Sequence, residues 1–81
     1  GELSTVTLAF PEHLTGVMLD RFGKEVILRK DTTGYSIRTD IVISDHFFGW
    51  LAGLGKSVKI VSPDDIRQQY KQYLSDILKE I

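Results

Sequence analysis

Apolar and polar residues alternate with a period of two near the start of the chain, as they do in a strand with one buried face. The alternation runs over Ser4–Phe10, and its apolar face consists of Val6, Leu8 and Phe10. The period then lengthens to three and four, at Leu14, Val17, Met18 and Phe22. The pattern therefore predicts a strand followed by an amphipathic helix that ends at Gly23.

Two segments rich in β-branched residues flank a tetrapeptide that is typical of a turn. The segments are Glu25–Lys30 and Tyr35–Ile43, and the tetrapeptide between them is Asp31–Gly34. A symmetric turn at this position places Leu28 opposite Ile37. The sequence therefore predicts an antiparallel hairpin with a defined register.

A short aromatic helix comes next, and both of its ends are marked. Ser44 is a suitable N-cap and Gly55 is a typical left-handed stop. The apolar residues between them are Phe47, Phe48, Trp50, Leu51 and Leu54. A fourth strand is predicted over Val58–Val61. Ser62 is then predicted to cap a long final helix, with Pro63 in its first helical position.

The final helix carries a wide apolar stripe that requires a partner. Its members are Ile66, Tyr70, Tyr73, Leu74, Ile77, Leu78 and Ile81. Tyrosine is common at interfaces because one end is apolar and the other polar. We predict an interface with another domain or subunit at Tyr70, Tyr73, Ile77 and Ile81. The alternative is that the two tyrosines pack onto the domain itself.

The order of elements predicts an α+β fold. A β-α-β-β-α-β succession gives a ferredoxin-like sandwich with a four-stranded antiparallel sheet, here with an added C-terminal helix. A chain of 81 residues corresponds to a single domain, 1–81. The residues predicted to face the core are Val6, Leu8, Phe10, Leu28, Ile37, Ile41, Ile43, Val58 and Ile60.

The other face of the predicted sheet carries cations but no aromatic residue on its strands. RNA-recognition sheets stack bases on aromatic side chains, so this face argues against that class of protein. Arg29, Arg38 and Lys59 are candidate contacts for an anion or a small effector. The alternative is that these charges serve solvation and protect the sheet edge.

No residue set in the chain predicts chemistry. The GLGKS run at 53–57 resembles a phosphate loop, but the loop's first glycine would stand at position 50, which is Trp50. The run also leaves a helix instead of opening one, so we interpret it as a helix stop. His13 and His46 have no second His or Cys at ligand spacing. We expect no enzymatic activity, no metal and no cofactor.

Composition excludes further classes of function. The net charge of −1 argues against a domain that binds a nucleic acid backbone by itself, because such domains carry an excess of basic residues. No apolar run approaches the length of about 18 residues that spans a bilayer. The absence of cysteine fits a reducing compartment, so we expect a cytoplasmic protein. The chain opens at Gly1 instead of a methionine, and we expect it to be the C-terminal piece of a longer protein.

Three segments resemble the C-terminal extension, of WCX type, that follows the WYL domain in bacterial helix-turn-helix transcriptional regulators. They are Val6–Phe10, Trp50–Gly55, and Val58–Pro63 leading into Ile66-Arg67. The resemblance implies a DNA-binding helix-turn-helix, a WYL domain that senses a ligand or single-stranded nucleic acid, and a ferredoxin-like extension that supports dimerisation and regulation. This chain matches only the extension, so no residue role is carried over from the other two.

Two functions follow as hypotheses. The first is a non-enzymatic regulatory and oligomerisation module, with other domains of the same regulator and a second subunit as partners. In that case DNA is bound only through the N-terminal domain, which this chain lacks, and no membrane is involved. The alternative is an ACT-like domain that binds a small-molecule effector and shares the same order of elements.

Overall fold

An antiparallel sheet and a set of helices build the fold. Within residues 2–81, which the computed structural model describes, there are four strands and three α-helices. Gly1, and with it the prediction about how the chain begins, lies outside the described residues. A 3₁₀ turn at Glu12–Leu14 precedes the first α-helix. The elements are β1 (Leu3–Phe10), α1 (Thr15–Phe22), β2 (Ile27–Lys30), β3 (Tyr35–Val42), α2 (Asp45–Gly53), β4 (Lys59–Ser62) and α3 (Asp64–Glu80).

The strand order across the sheet is β2-β3-β1-β4, and all neighbours are antiparallel. β1 therefore lies in the middle, paired with β3 on one side and β4 on the other. β2 and β4 are the edge strands. Leu28 pairs with Ile37, which confirms the predicted register of the hairpin.

The β2–β3 turn is fixed by one carboxylate and one glycine. Asp31 accepts hydrogen bonds from the backbone N–H groups of Thr33 and Gly34, each at 2.9 Å. The N–H of Asp31 donates to the Gly34 carbonyl at 2.8 Å. A Cβ at Gly34 would lie 2.5 Å from the carbonyl oxygen of Phe10. The turn thus packs directly on the end of β1, a position that only glycine can occupy without a clash.

One face of the sheet and the inner sides of the helices form the core. Leu28, predicted to face the core, is 40% exposed, because β2 is an edge strand whose side chains are all largely accessible. Ile43 packs against the core from a half-buried position. The buried residues are Val6, Leu8, Phe10, Met18, Ile37, Ile41, Phe47, Phe48, Leu51, Val58, Ile60 and Ile66.

Both ends of α2 follow the sequence prediction. The Ser44 hydroxyl accepts a hydrogen bond from the Phe47 N–H at 3.1 Å, which is the expected N-cap. Gly55 has a φ of 89°, and its N–H donates to the Ala52 carbonyl. Lys56 and Ser57 therefore lie between a helix C-terminus and a strand. This confirms the helix-stop interpretation of the GKS run.

The junction between β4 and α3 corrects the sequence prediction. The strand lies one residue later than predicted, over Lys59–Ser62. A register shift opposite β1 lets Ser62 pair with Thr7, so Ser62 belongs to the strand and does not cap α3. Pro63 instead occupies the N-cap position in an extended conformation, and no side chain caps the helix. The carboxylates of the first turn still favour the positive end of the helix dipole.

Candidate functional site

The uncovered face of the sheet, which we call the open face, brings together two of the three predicted cations. Arg38 pairs with Ile27 and Arg29 pairs with Ser36, so the two arginines are diagonal neighbours on adjacent strands. They line a small depression of about 230 Å³ together with Thr7, Ile27 and Ser36. The depression combines two guanidinium groups with two hydroxyls, which are donors suited to an anion.

Lys59 does not join this depression. It pairs with Ala9 on the far side of β1, and three strand spacings separate β4 from β2. At about 4.8 Å for each spacing, Lys59 lies roughly 14 Å from Arg29. Within residues 2–81 none of the three cations forms an ion pair. The residues on the open face include one carboxylate, Asp40, which accepts a hydrogen bond from the Thr5 hydroxyl.

The N-terminal half of α3 packs onto α2. The rings of Tyr70 and Tyr73 lie 5.4 and 5.6 Å from the ring of Phe48, centroid to centroid. Gly49 allows this approach, because a Cβ there would lie 3.2 Å from the Tyr73 hydroxyl. Burial, with a smaller contribution from Tyr73, raises the pKa of the Tyr70 hydroxyl. Both tyrosines therefore use part of their surface inside the domain.

The C-terminal half of the α3 stripe is only partly covered within the described residues. Leu74 is 39% exposed and Ile77 is 44% exposed. Leu78 and Ile81 reach 71% and 95%. The stripe is thus divided near Tyr73 into a part that packs on the domain and a part that faces outward. The interface role of Tyr70, Tyr73, Ile77 and Ile81 stays a prediction.

Two grooves flank α3, and their charges are opposite. The acidic groove, about 670 Å³, combines the carboxylates of Asp45, Asp76 and Glu80 with apolar side chains that include Phe48 and Ile77. The basic groove, about 490 Å³, lies between α3 and β4. It is lined by Ala9, Val58, Lys59, Ile60, Val61, Arg67, Tyr70, Lys71 and Leu74.

Arg67 and Lys71 were missed as site residues by the sequence interpretation. They stand four residues apart, which places them on one side of the helix beside the apolar stripe. That spacing was a usable signal. The position of β4 beside these two residues could not be inferred from the sequence, because it depends on how α3 folds back after Pro63.

The two histidines lie at different places in the fold. His13 lies in the 3₁₀ turn and His46 in the first turn of α2. Among residues 2–81 no three His, Cys, Asp or Glu side chains form a group that could hold a metal. In the same range, no helix combines the length and the apolar character that membrane crossing requires.

Comparison with protein families matches residues 2–78 to the WCX domain. No curated protein matches the chain. The family match extends over every strand and all but the end of α3, and it includes the three segments on which the resemblance was based. The chain therefore belongs to the WCX domain family, the C-terminal domain type found in WYL-domain transcriptional regulators.

Proposed function

We propose that this domain is the regulatory and oligomerisation module of a bacterial DNA-binding transcriptional regulator, and that it has no catalytic activity of its own. The observation that carries the proposal is the exposed half of the α3 stripe in a member of the WCX family. In this proposal another domain of the same cytoplasmic regulator binds DNA. This domain contacts the other domains and a second subunit.

The proposed plan of the fold is ferredoxin-like, with α3 as the added helix. Support comes from the order of the elements before α3 and from the strand order β2-β3-β1-β4. Two split β-α-β units produce this arrangement. On that plan α3 is not needed to complete the sandwich, so its outer side is available to a partner.

The size of the exposed stripe indicates how strongly it associates. A standard interface buries about 800 Å² on each partner. Even a large aromatic side chain supplies only about 150–250 Å². The exposed fractions of Leu74, Ile77, Leu78 and Ile81 amount together to about two and a half whole side chains. Even at the size of an aromatic residue they supply roughly 370–620 Å², so they fall short of a stable interface alone. We expect weak association of this domain by itself, strengthened in the whole regulator by contacts from its other domains.

A charge in the exposed stripe is expected to weaken the assembly of the regulator. Ile77→Glu places a carboxylate in an apolar contact, where an unpaired charge is costly. We expect the dimer dissociation constant of the whole regulator to rise by about tenfold or more, corresponding to about 1.4 kcal/mol. Sedimentation equilibrium measures this constant directly.

Gln68→Glu provides the matched control for this experiment. It adds the same charge to an exposed position on the polar side of the same helix. The control variant should assemble like the wild-type regulator. An unchanged dimer constant for Ile77→Glu would rule out the exposed stripe as the oligomerisation surface.

A second candidate function is binding of a small anionic effector, as in ACT-like domains. The specific observation in its favour is the depression on the open face, where Arg29 and Arg38 flank Thr7 and Ser36. In the part of the chain that the structure describes, neither arginine is paired with a carboxylate. A phosphate or carboxylate group fits these donors, since guanidinium groups bind such oxyanions through paired hydrogen bonds. The depression is small, about 230 Å³, so it would hold the anionic group of an effector and not a large ligand.

Thermal denaturation with inorganic phosphate, nucleotides and amino acids tests the effector function. A ligand at ten times its Kd adds about 1.4 kcal/mol of stability. For a domain of this size that corresponds to an increase in Tm of roughly 6–11 °C. Arg38→Ala should abolish the increase, and Lys24→Ala, which removes a cation from the loop before β2, should preserve it. A Tm that no probe raises would argue against this function.

A further inference from the structure

The basic groove follows the edge of β4 and reaches Ala9 of β1 on the open face. Successive residues of a strand point to opposite faces, so a groove on a face contacts every second residue. Here four consecutive residues line the groove, namely Val58 and the first three residues of β4, Lys59 to Val61. β4 is an edge strand, and among residues 2–81 its sheet neighbour is β1 alone. Residues that point to both faces of β4 thus contribute to the groove, which places it along the edge of the strand.

The backbone groups on that edge have no partner within the described residues. The hydrogen bonds outside the regular ladders include none from residues 58–62 to α3 or to any other segment. An edge with free N–H and C=O groups is a template for one more strand. β4 has four residues, so an added strand of about four residues, roughly 13 Å long, would match it.

The side chains around the groove determine which kind of strand it suits. Tyr70 and Leu74 of α3 provide an apolar wall. The groove is also lined by three cations, Lys59, Arg67 and Lys71, and by no carboxylate. Arg67 is paired with Asp64 at 3.2 Å, whereas Lys59 and Lys71 form no ion pair within residues 2–81. The groove is thus apolar on the inside and basic around it.

A second copy of this chain does not fit the basic groove. A two-fold interface places the same patch on both partners. It would bring two groups of cations into one interface, because the groove is lined by Lys59, Arg67 and Lys71 and by no carboxylate, and like charges that approach each other disfavour an interface. The exposed end of α3, by contrast, has its apolar residues beyond these lysines. The groove and the oligomerisation stripe therefore meet at Leu74, and Ile77, Leu78 and Ile81 lie outside the groove.

We propose that the β4 edge is a docking site for an extended, acidic peptide segment of a partner protein, which adds to the sheet as a fifth strand. Its backbone pairs with β4, and alternate apolar side chains contact Tyr70 and Leu74. The acidic side chains between them pair with Lys59 and Lys71. This inference does not depend on the oligomerisation role of α3.

An acetylated hexapeptide of alternating valine and glutamate is the probe that tests the proposal. Isothermal titration of the chain with this peptide should show binding that is about tenfold stronger than with the valine–lysine equivalent. The amides of residues 58–62 should become protected from hydrogen exchange when the acidic peptide is present. N-methylation of the peptide groups that face β4 should abolish binding, because it removes the donors that a strand requires.

Charge reversal in the groove provides the matching test on the protein. The double variant Lys59→Glu, Lys71→Glu should bind the acidic peptide about tenfold more weakly and bind the lysine peptide instead. Lys24→Glu, a single reversal far from the groove, should leave the affinity within about twofold. Equal binding of both peptides, equal binding of the N-methylated peptide, or absence of binding at millimolar concentration would each overturn the proposal.

Discussion

Phe48→Ala is expected to remove a large part of the stability of this domain. Phe48 is buried and is the residue of α2 on which both α3 tyrosines rest, at ring distances of 5.4 and 5.6 Å. Truncation of a buried phenylalanine costs about 3–5 kcal/mol, because apolar contacts are lost and a cavity remains. A domain of 81 residues has a total stability on the order of 4–12 kcal/mol. Urea denaturation measures the loss.

The same substitution should loosen α3 more than the sheet. Hydrogen exchange at the amides of residues 66–74 should accelerate beyond the global effect, since Tyr70 and Tyr73 lose their support. Phe48→Leu preserves most of the volume and should cost less than about 1.5 kcal/mol. A loss below about 1 kcal/mol for Phe48→Ala would show that α3 does not pack on α2 in solution.

The hairpin shows how far local sequence signals determine this structure. The Asp31–Gly34 turn and the β-branched segments on either side were enough to predict the pairing of Leu28 with Ile37. The cap at Ser44 and the stop at Gly55 were equally local, and both were correct. Each of these features depends on contacts between residues a few positions apart, which a single sequence contains in full.

The β4–α3 region shows the limit of prediction from local sequence signals. Ser62 and Pro63 have the local chemistry of a helix start, yet pairing of Ser62 with Thr7 extends the strand instead. That pairing joins residues 55 positions apart, so nothing near Ser62 indicates it. The apolar stripe of α3 likewise predicted that this side of the helix packs against a partner, but it did not show how much of the stripe is buried. After Tyr73 the apolar residues of the helix become progressively more exposed, from Leu74 at 39% to Ile81 at 95%, and this depends on the tertiary packing of α3.

The candidate sites also differ in how far the sequence could predict them. Arg29 and Arg38 could be placed together from the sequence because the hairpin register fixes their distance. Lys59 was grouped with them through its position on the same face, but the strand order separates it from Arg29 by three spacings. The basic groove was not predicted, since it is formed by a strand edge and a helix whose relative position is a tertiary feature.

Gly34→Ala is expected to destabilise the domain by about 2 kcal/mol or more, through a clash between the new methyl group and the main chain. The Cβ would lie 2.5 Å from the carbonyl oxygen of Phe10 and 3.2 Å from Cα of Pro11. Both are backbone atoms, so no side-chain rotation relieves the contact. The hairpin must move away from the end of β1, which disturbs the pairing of Phe10 with Tyr35.

Gly16→Ala is the control that isolates this clash. Gly16 lies in α1, and a Cβ there would meet no atom within 4 Å. In a helix, alanine is favoured over glycine by about 0.5–1 kcal/mol, so the control should raise stability while Gly34→Ala lowers it. Urea denaturation of both variants gives the comparison. Stability of Gly34→Ala equal to wild type would show that the turn does not pack on β1 as described. The hairpin also sets the spacing of Arg29 and Arg38, so a displaced turn should weaken any anion binding on the open face.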